Sequence, residues 1–243
     1  MRNSNLNIVI TGGGSSIGAS LVKKLSKKNR VCVLDIKFEI SKNKNIFLYK
    51  CDVTKNKIIK KTFKKIYSRF KHIDVLINNA GWIATFPIYN PLKVKNKIHS
   101  MNLWNKILAI NLSSVFNCTS IYCEHQIQNR QGGLIINFSS ISANGAINQS
   151  AYAAAKAGVI ALTSTWSKEL SIFNIRSTCI SPGIVNSEST KKDLKANHVE
   201  GWKKKIPLKR FANMNEIYMC VDFIIKNNYF NGKCLRIDGG LEY

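Results

Sequence analysis

Short runs rich in β-branched residues alternate with longer segments of helical apolar spacing along the whole chain, and few folds accommodate that order. Leu6–Thr11 predicts a first strand, and a Gly/Ser turn then leads into a helix over about Ile17–Lys28. Further strands are predicted at Arg30–Asp35, Asn45–Cys51, Ile73–Ile77, Leu134–Phe138, Arg176–Ile180 and Lys233–Ile237. Helices are predicted at Lys57–Phe70, Tyr152–Ser171 and Met214–Lys226, with another around Asn111. Strands separated by helices pair in parallel and are covered on both faces. The expectation is an α/β, doubly wound parallel sheet of seven strands, with residues 1–243 forming a single domain.

Composition narrows the function classes. A chain of 243 residues with 45% hydrophobic content has the material for a core and is not a disordered polymer. No run of about 18 apolar residues occurs, so no membrane partner is expected. The first strand begins almost at once, which predicts no signal peptide. Seven scattered cysteines without a C-x-x-C pair fit a reduced, cytoplasmic protein with neither a disulfide framework nor a zinc site. His72, His99, His125 and His198 show no ligand spacing, so no metal is expected. The formal charge of +24 invites a nucleic-acid reading. However, the basic residues are mostly Lys, spread along helices, and Asn is also abundant, which reads as AT-rich coding and solvated helix faces. Dedicated phosphate recognition favours the Arg fork. No nucleic-acid partner is therefore expected, and a polyanion-binding chain is the alternative.

Two ends of the chain carry chemistry. The turn Thr11-Gly12-Gly13-Gly14-Ser15-Ser16-Ile17-Gly18 joins the first strand to the first helix, where backbone N–H groups and the helix dipole suit a pyrophosphate. Its spacing is not G-x-G-x-x-G, because Ile17 stands where the third Gly would fall. Asp35 ends the second strand, where a carboxylate accepts hydrogen bonds from ribose hydroxyls and repels a 2′-phosphate. This predicts NAD, although Lys37 close by leaves NADP open. Tyr152 and Lys156 are four residues apart and share a helix face. A tyrosine acting as a base near pH 7 needs a shift of about 3 units, roughly 4 kcal/mol, and one ammonium about 4 Å away supplies that order of energy. Ser139-Ser140 follow the fifth strand, where a hydroxyl can hydrogen-bond a reacting oxygen.

Thr11-Gly12-x-x-x-Ser16-x-Gly18, Asp52-Val53, Asn78-Asn79-Ala80-Gly81, Asn111, Ser139-Ser140, Tyr152-x-x-x-Lys156, Pro182-Gly183 and Ile237-Asp238-Gly239-Gly240 occur in one order. With these motifs the chain resembles the short-chain dehydrogenase/reductase family over about residues 6–240, and the sheet would be Rossmann-like. The resemblance implies an NAD(P)-dependent oxidoreductase moving hydride between a nicotinamide and a small-molecule secondary alcohol or ketone. Catalysis would rest on Asn111, Ser140, Tyr152 and Lys156, with Asn111 holding a water that relays protons to Lys156. Family position selects Ser140, with one residue deleted between Ile141 and Gly145, whereas the spacing to Tyr152 suits Ser139. The cofactor would meet Gly12, Ser15, Ser16, Ile17, Gly18, Asp35, Asp52, Val53, Asn79, Ala80, Gly81, Tyr152, Lys156, Pro182, Gly183, Val185 and Ser187.

Two departures from the family pattern stand out. Ser16 replaces a usual Gly, and the stretch between Gly81 and Asn111 is longer than usual. Trp82, Phe86, Pro87 and Pro91 there form either extra substrate-site wall or an extra surface turn. The loop Asn186–Pro207, expected to cover the substrate, carries no readable code. Apolar residues on the Tyr152 helix (Ala153, Ala157, Val159, Ile160, Trp166) and near Asn111 (Val115, Phe116, Ile121) suggest a homodimer or homotetramer. The alternatives are an NADPH-dependent 3-oxoacyl-thioester reductase and, from another class, a non-catalytic dinucleotide- or RNA-binding protein. Intact Ser, Tyr, Lys and Asn disfavour the last, since a binder needs no proton relay.

Overall fold

Val, Ile and Leu dominate the strands because both faces of the sheet are covered. The computed structural model describes residues 5–41, 43–188, 190 and 196–242. Its strands are β1 (Asn7–Thr11), β2 (Arg30–Asp35), β3 (Ile46–Lys50), β4 (Val75–Asn78), β5 (Gly133–Phe138), β6 (Ile175–Pro182) and β7 (Cys234–Ile237). They form one seven-stranded sheet in the order β3-β2-β1-β4-β5-β6-β7, and every pairing is parallel. The helices are α1 (Ser16–Leu25), α2 (Asn56–Phe70), α3 (Met101–Leu108), α4 (Ser114–Gln128), α5 (Ser150–Glu169), α6 (Ala196–Lys205) and α7 (Met214–Lys226). A π-helical turn, Ala109–Ser113, joins α3 to α4.

One core layer packs α2, α4 and α5 on the sheet through Phe63, Ile66, Tyr122, Val159 and Trp166. The opposite layer packs α1 and α7 through Leu21, Val22, Ile217, Val221 and Ile224. Chain direction around the sheet reverses between β1 and β4, and ligands of such sheets bind at that switch point, beyond the carboxyl ends of the strands. Register aligns Thr11, Asn78, Asn137, Cys179 and Cys234 across five strands close to that edge.

Several boundaries differ from expectation for local reasons. Helix α1 stops at Leu25 rather than Lys28, because the Asn29 side chain donates to the Leu25 carbonyl and accepts from the Leu6 N–H, closing the turn into β2. Strand β4 begins at Val75 rather than Ile73, where the Asp74 carboxylate instead accepts the Asn7 N–H. Strand β6 continues through Pro182, beyond the expected Ile180. Helix α6 falls inside the stretch expected to be a loop.

Candidate active site

The cofactor end is a turn stapled to its neighbour. Thr11 Oγ1 accepts the N–H groups of Asn79 and Ala80, each at 3.1 Å, and Asn79 Nδ2 donates to the Gly12 carbonyl at 2.8 Å. The approach requires glycine: Gly12 has φ 63°, and a Cβ there would stand 2.6 Å from Ala80 Cα. At Gly18 a Cβ would stand 2.1 Å from the Gly12 carbonyl oxygen. Helix α1 then starts from Ser15 with no side-chain cap and no acidic residue in its first turn, which leaves its dipole for an anion. Ile17 turns toward the α1/α7 core layer. Ser16 adopts φ 50°, a left-handed backbone that explains a usual glycine there.

Asp35 lies against this turn. One carboxylate oxygen accepts the Gly14 N–H at 2.8 Å and the other the Ile36 N–H at 2.7 Å. Asp52 accepts the N–H and hydroxyl of Thr54, closing the turn after β3, and Val53 is buried beside it. These residues fit a dinucleotide: a glycine cradle, an uncapped helix start and a carboxylate at the ribose end of β2.

At the far side, Pro182 ends β6, and the Gly183 N–H donates to the Ile237 carbonyl at 2.8 Å. A Cβ at Gly183 would stand 2.8 Å from Asp238 Cα, so the turn and the Asp238-Gly239 segment fit only as a pair. Val185 is buried in the core and bridges to Ala212, so it shapes this wall from behind. The Ser187 hydroxyl is buried, accepts the Thr190 N–H at 3.0 Å and shares a hydrogen bond with the Thr190 hydroxyl.

At the catalytic end, α5 places Tyr152 and Lys156 one turn apart over the end of β5. Lys156 is 3% exposed, its Nζ donates to the Phe138 carbonyl at 2.8 Å, and Nζ lies 5.6 Å from the Tyr152 ring centroid. Burial pushes the Lys156 ammonium down from 10.5 to about 8. A Cβ placed on Gly81 would stand 3.0 Å from Asn111 Oδ1 and 3.5 Å from Lys156 Nζ, so glycine keeps open the small space that both polar atoms face. Asn111 is fully buried in the π-helical turn, donating to the Trp82 carbonyl at 2.8 Å and the Ile107 carbonyl at 3.0 Å, and accepting the Trp82 N–H at 3.1 Å.

The two serines separate clearly. Ser139 is 5% exposed, and its hydroxyl donates to the Lys156 backbone carbonyl at 2.8 Å. Ser140 is partly exposed at the start of a 3₁₀ turn, Ile141–Asn144, and its Oγ accepts the Ser142 N–H at 3.2 Å. Beneath lies a buried polar ladder of which motif reading had quoted only Asn78: Asn78 Nδ2 donates to Thr119 and Asn137, and Asn137 Nδ2 donates to Thr163. Its sequence signal was an Asn in each of two apolar strands. Among the described residues no cluster of His, Cys, Asp or Glu could hold a metal, and no helix is long and apolar enough to cross a membrane.

Comparison with known proteins identifies the family. Residues 6–198 match the profile of the short chain dehydrogenase family. The chain is 30% identical to a 3-oxoacyl-[acyl-carrier-protein] reductase of Buchnera aphidicola, with 99% of each chain covered. It is 32% identical to carbonyl reductase family member 4 of Xenopus laevis, covering 96% of each. Among solved structures, ElxO with NADP bound superimposes with a TM-score of 0.86 at 25% identity, covering 97% of this chain and 98% of that one.

Proposed function

We propose, for a chain that belongs to the short-chain dehydrogenase/reductase family and is an NAD(P)-dependent oxidoreductase, that Tyr152, Lys156, Ser140 and Asn111 carry the reaction at a ketone or secondary alcohol. The observation that carries the reading is Lys156: a buried ammonium held on the Phe138 carbonyl, one helical turn from Tyr152. The nicotinamide, when bound, supplies or accepts the hydride. In reduction the Tyr152 hydroxyl gives its proton to the substrate oxygen, and the Ser140 hydroxyl hydrogen-bonds that oxygen. The Lys156 charge then stabilises the tyrosinate. With a pKa of about 8, Lys156 stays mostly protonated near pH 7. A water in the space kept open by Gly81 would bond Asn111 Oδ1 and Lys156 Nζ and return the proton.

The remaining residues of the turn, Gly12 to Gly18, with Asp35, Asp52, Val53, Asn79 to Gly81, Pro182, Gly183, Val185 and Ser187, are proposed to hold the cofactor, and Asp35 favours NAD over NADP. Tyr152→Phe tests the core of the reading. Turnover should fall by about 10²–10⁴ while NAD affinity stays within about threefold. Turnover within about tenfold of wild type would refute the assignment.

A more specific substrate, a 3-oxoacyl thioester, is favoured by relatives of that name that cover nearly the whole chain. We also propose pairing between copies through α4 and α5, whose outer faces form a groove lined by Leu112, Phe116, Gly158, Ala161, Leu162 and Thr165. Light scattering at micromolar concentration should give a dimer or tetramer, and a monomer would refute this.

A further inference from the structure

The segment between Gly81 and α3 folds into a hairpin beside the site. Tyr89 and Ile98 form an antiparallel bridge, and the Asn90 N–H donates to the Lys97 carbonyl at 2.7 Å. Its base is tied down twice: Trp82 exchanges backbone bonds with Asn111, and the Phe86 N–H donates to the Asn148 carbonyl at 2.7 Å, four residues before Tyr152. Phe86 packs edge-on against His99, and Lys93 Nζ stands over the Phe86 ring, 4.6 Å from its centroid. The hairpin is thus an ordered element, yet much of its apolar surface is bare. Ile88, Leu92, Val94 and Ile98 are 73%, 93%, 90% and 69% exposed.

Exposed aliphatic side chains grouped in this way mark an interaction surface. Lys93, Lys95 and Lys97 alternate with them, and the chain has no acidic residue between Asp74 and Glu124. A second copy of the same hairpin would bring like charges together. A row of lysines with no carboxylate among them suits an acidic partner surface.

We propose that the Phe86–His99 hairpin docks a small acidic protein that carries the substrate as a thioester. Ile88, Leu92, Val94 and Ile98 supply the apolar centre of the contact, and the three lysines pair with carboxylates at its rim. This rests on the 3-oxoacyl-thioester reading of the site.

The test compares one 3-oxooctanoyl group on an acidic acyl carrier protein and on N-acetylcysteamine. Two variants are used, Leu92→Ser/Val94→Ser and Lys93→Glu/Lys95→Glu/Lys97→Glu. Each should lose about tenfold or more in kcat/KM with the carrier-bound substrate, through KM, and stay within about twofold with the small thioester. Salt raised from about 0.05 to about 0.5 M should weaken the wild type toward the carrier alone. Equal losses on both substrates, no loss on either, or lost sedimentation with phosphatidylglycerol vesicles at unchanged carrier kinetics would each overturn the docking proposal. A wild type inactive on both thioesters would overturn the thioester reading and docking with it. Activity on the small thioester, with carrier kinetics indifferent to the variants, overturns docking alone.

Discussion

Ser139 donates its hydroxyl to the backbone carbonyl of Lys156 at 2.8 Å, while the Lys156 ammonium donates to the carbonyl of Phe138, the residue before that serine. The end of β5 thus grips the catalytic helix at both the backbone and the side-chain tip of one lysine. With that hydroxyl committed to the grip, we propose Ser140 as the serine that meets substrate.

This separates the two serines experimentally. Ser140→Ala should lower kcat by about 10²–10³, as for loss of one oxyanion donor. Ser139→Ala should leave kcat within about tenfold and lower unfolding stability by about 1–2 kcal/mol, the cost of a buried hydrogen bond. Steady-state kinetics and urea melts on both variants decide the matter, and the reverse pattern would reassign the role.

The lowered pKa of Lys156 makes a signed prediction for stability. Its folded value is about 8 against an unfolded 10.5, so between those pH values the unfolded chain binds a proton that the native state does not. Raising pH across that window therefore favours the native state, and below about pH 8 the burial penalty is fully present. Thermal melts should show wild type gaining on Lys156→Met from pH 8 to pH 10.5. A constant difference would contradict the lysine's placement.

We propose that cofactor choice turns on the charge of Asp35. Wild type should show a higher kcat/KM with NAD(H) than with NADP(H). Asp35→Asn removes the charge and keeps one carbonyl oxygen, which can accept only one of the Gly14 and Ile36 N–H groups. It should improve NADP(H) use by about tenfold, ~1.4 kcal/mol, with NAD(H) altered by no more than about threefold. A wild type that prefers NADPH would refute the assignment of the carboxylate.

Ser16 holds a left-handed backbone that costs a non-glycine residue about 1–2 kcal/mol. Ser16→Gly recovers part of it, since glycine also gains freedom in the unfolded chain. Chemical denaturation should show a gain of about 0.5–1 kcal/mol. A loss would mean that the serine side chain stabilises the turn by more than its backbone strain.

The sheet was legible because strands buried on both faces must be continuous apolar runs, and those runs are plain at Asn7–Thr11 and Gly133–Phe138. The pair Tyr152 and Lys156 was legible from helical spacing. Ser139 and Ser140 were not separable, because adjacent hydroxyls differ only in which way the strand end turns them. Helix α6 escaped notice because its Lys203-Lys204-Lys205 end and interior Gly201 hide any apolar period. The hairpin at residues 86–99 was visible only as extra length with a turn signal at Asn90-Pro91, since its register depends on a Tyr89–Ile98 pairing across eight loop residues.

The π-helical turn at Ala109–Ser113 has one residue more per turn than the helices it joins, and in a helix one residue is a rotation of about 100°. It acts as a phase shifter between two messages written on one rod. Upstream of it, α3 carries Trp104, packed on the hairpin's His99, and within it Asn111 points inward to Gly81. Leu112, also within it, and Phe116, downstream in α4, face the outer groove. Deleting a single residue there and winding the rod as plain α-helix would restore one orientation only by forfeiting the other. The inward Asn111 amide and the outward apolar face are therefore set by the same irregular turn, and neither can drift in angle without the other.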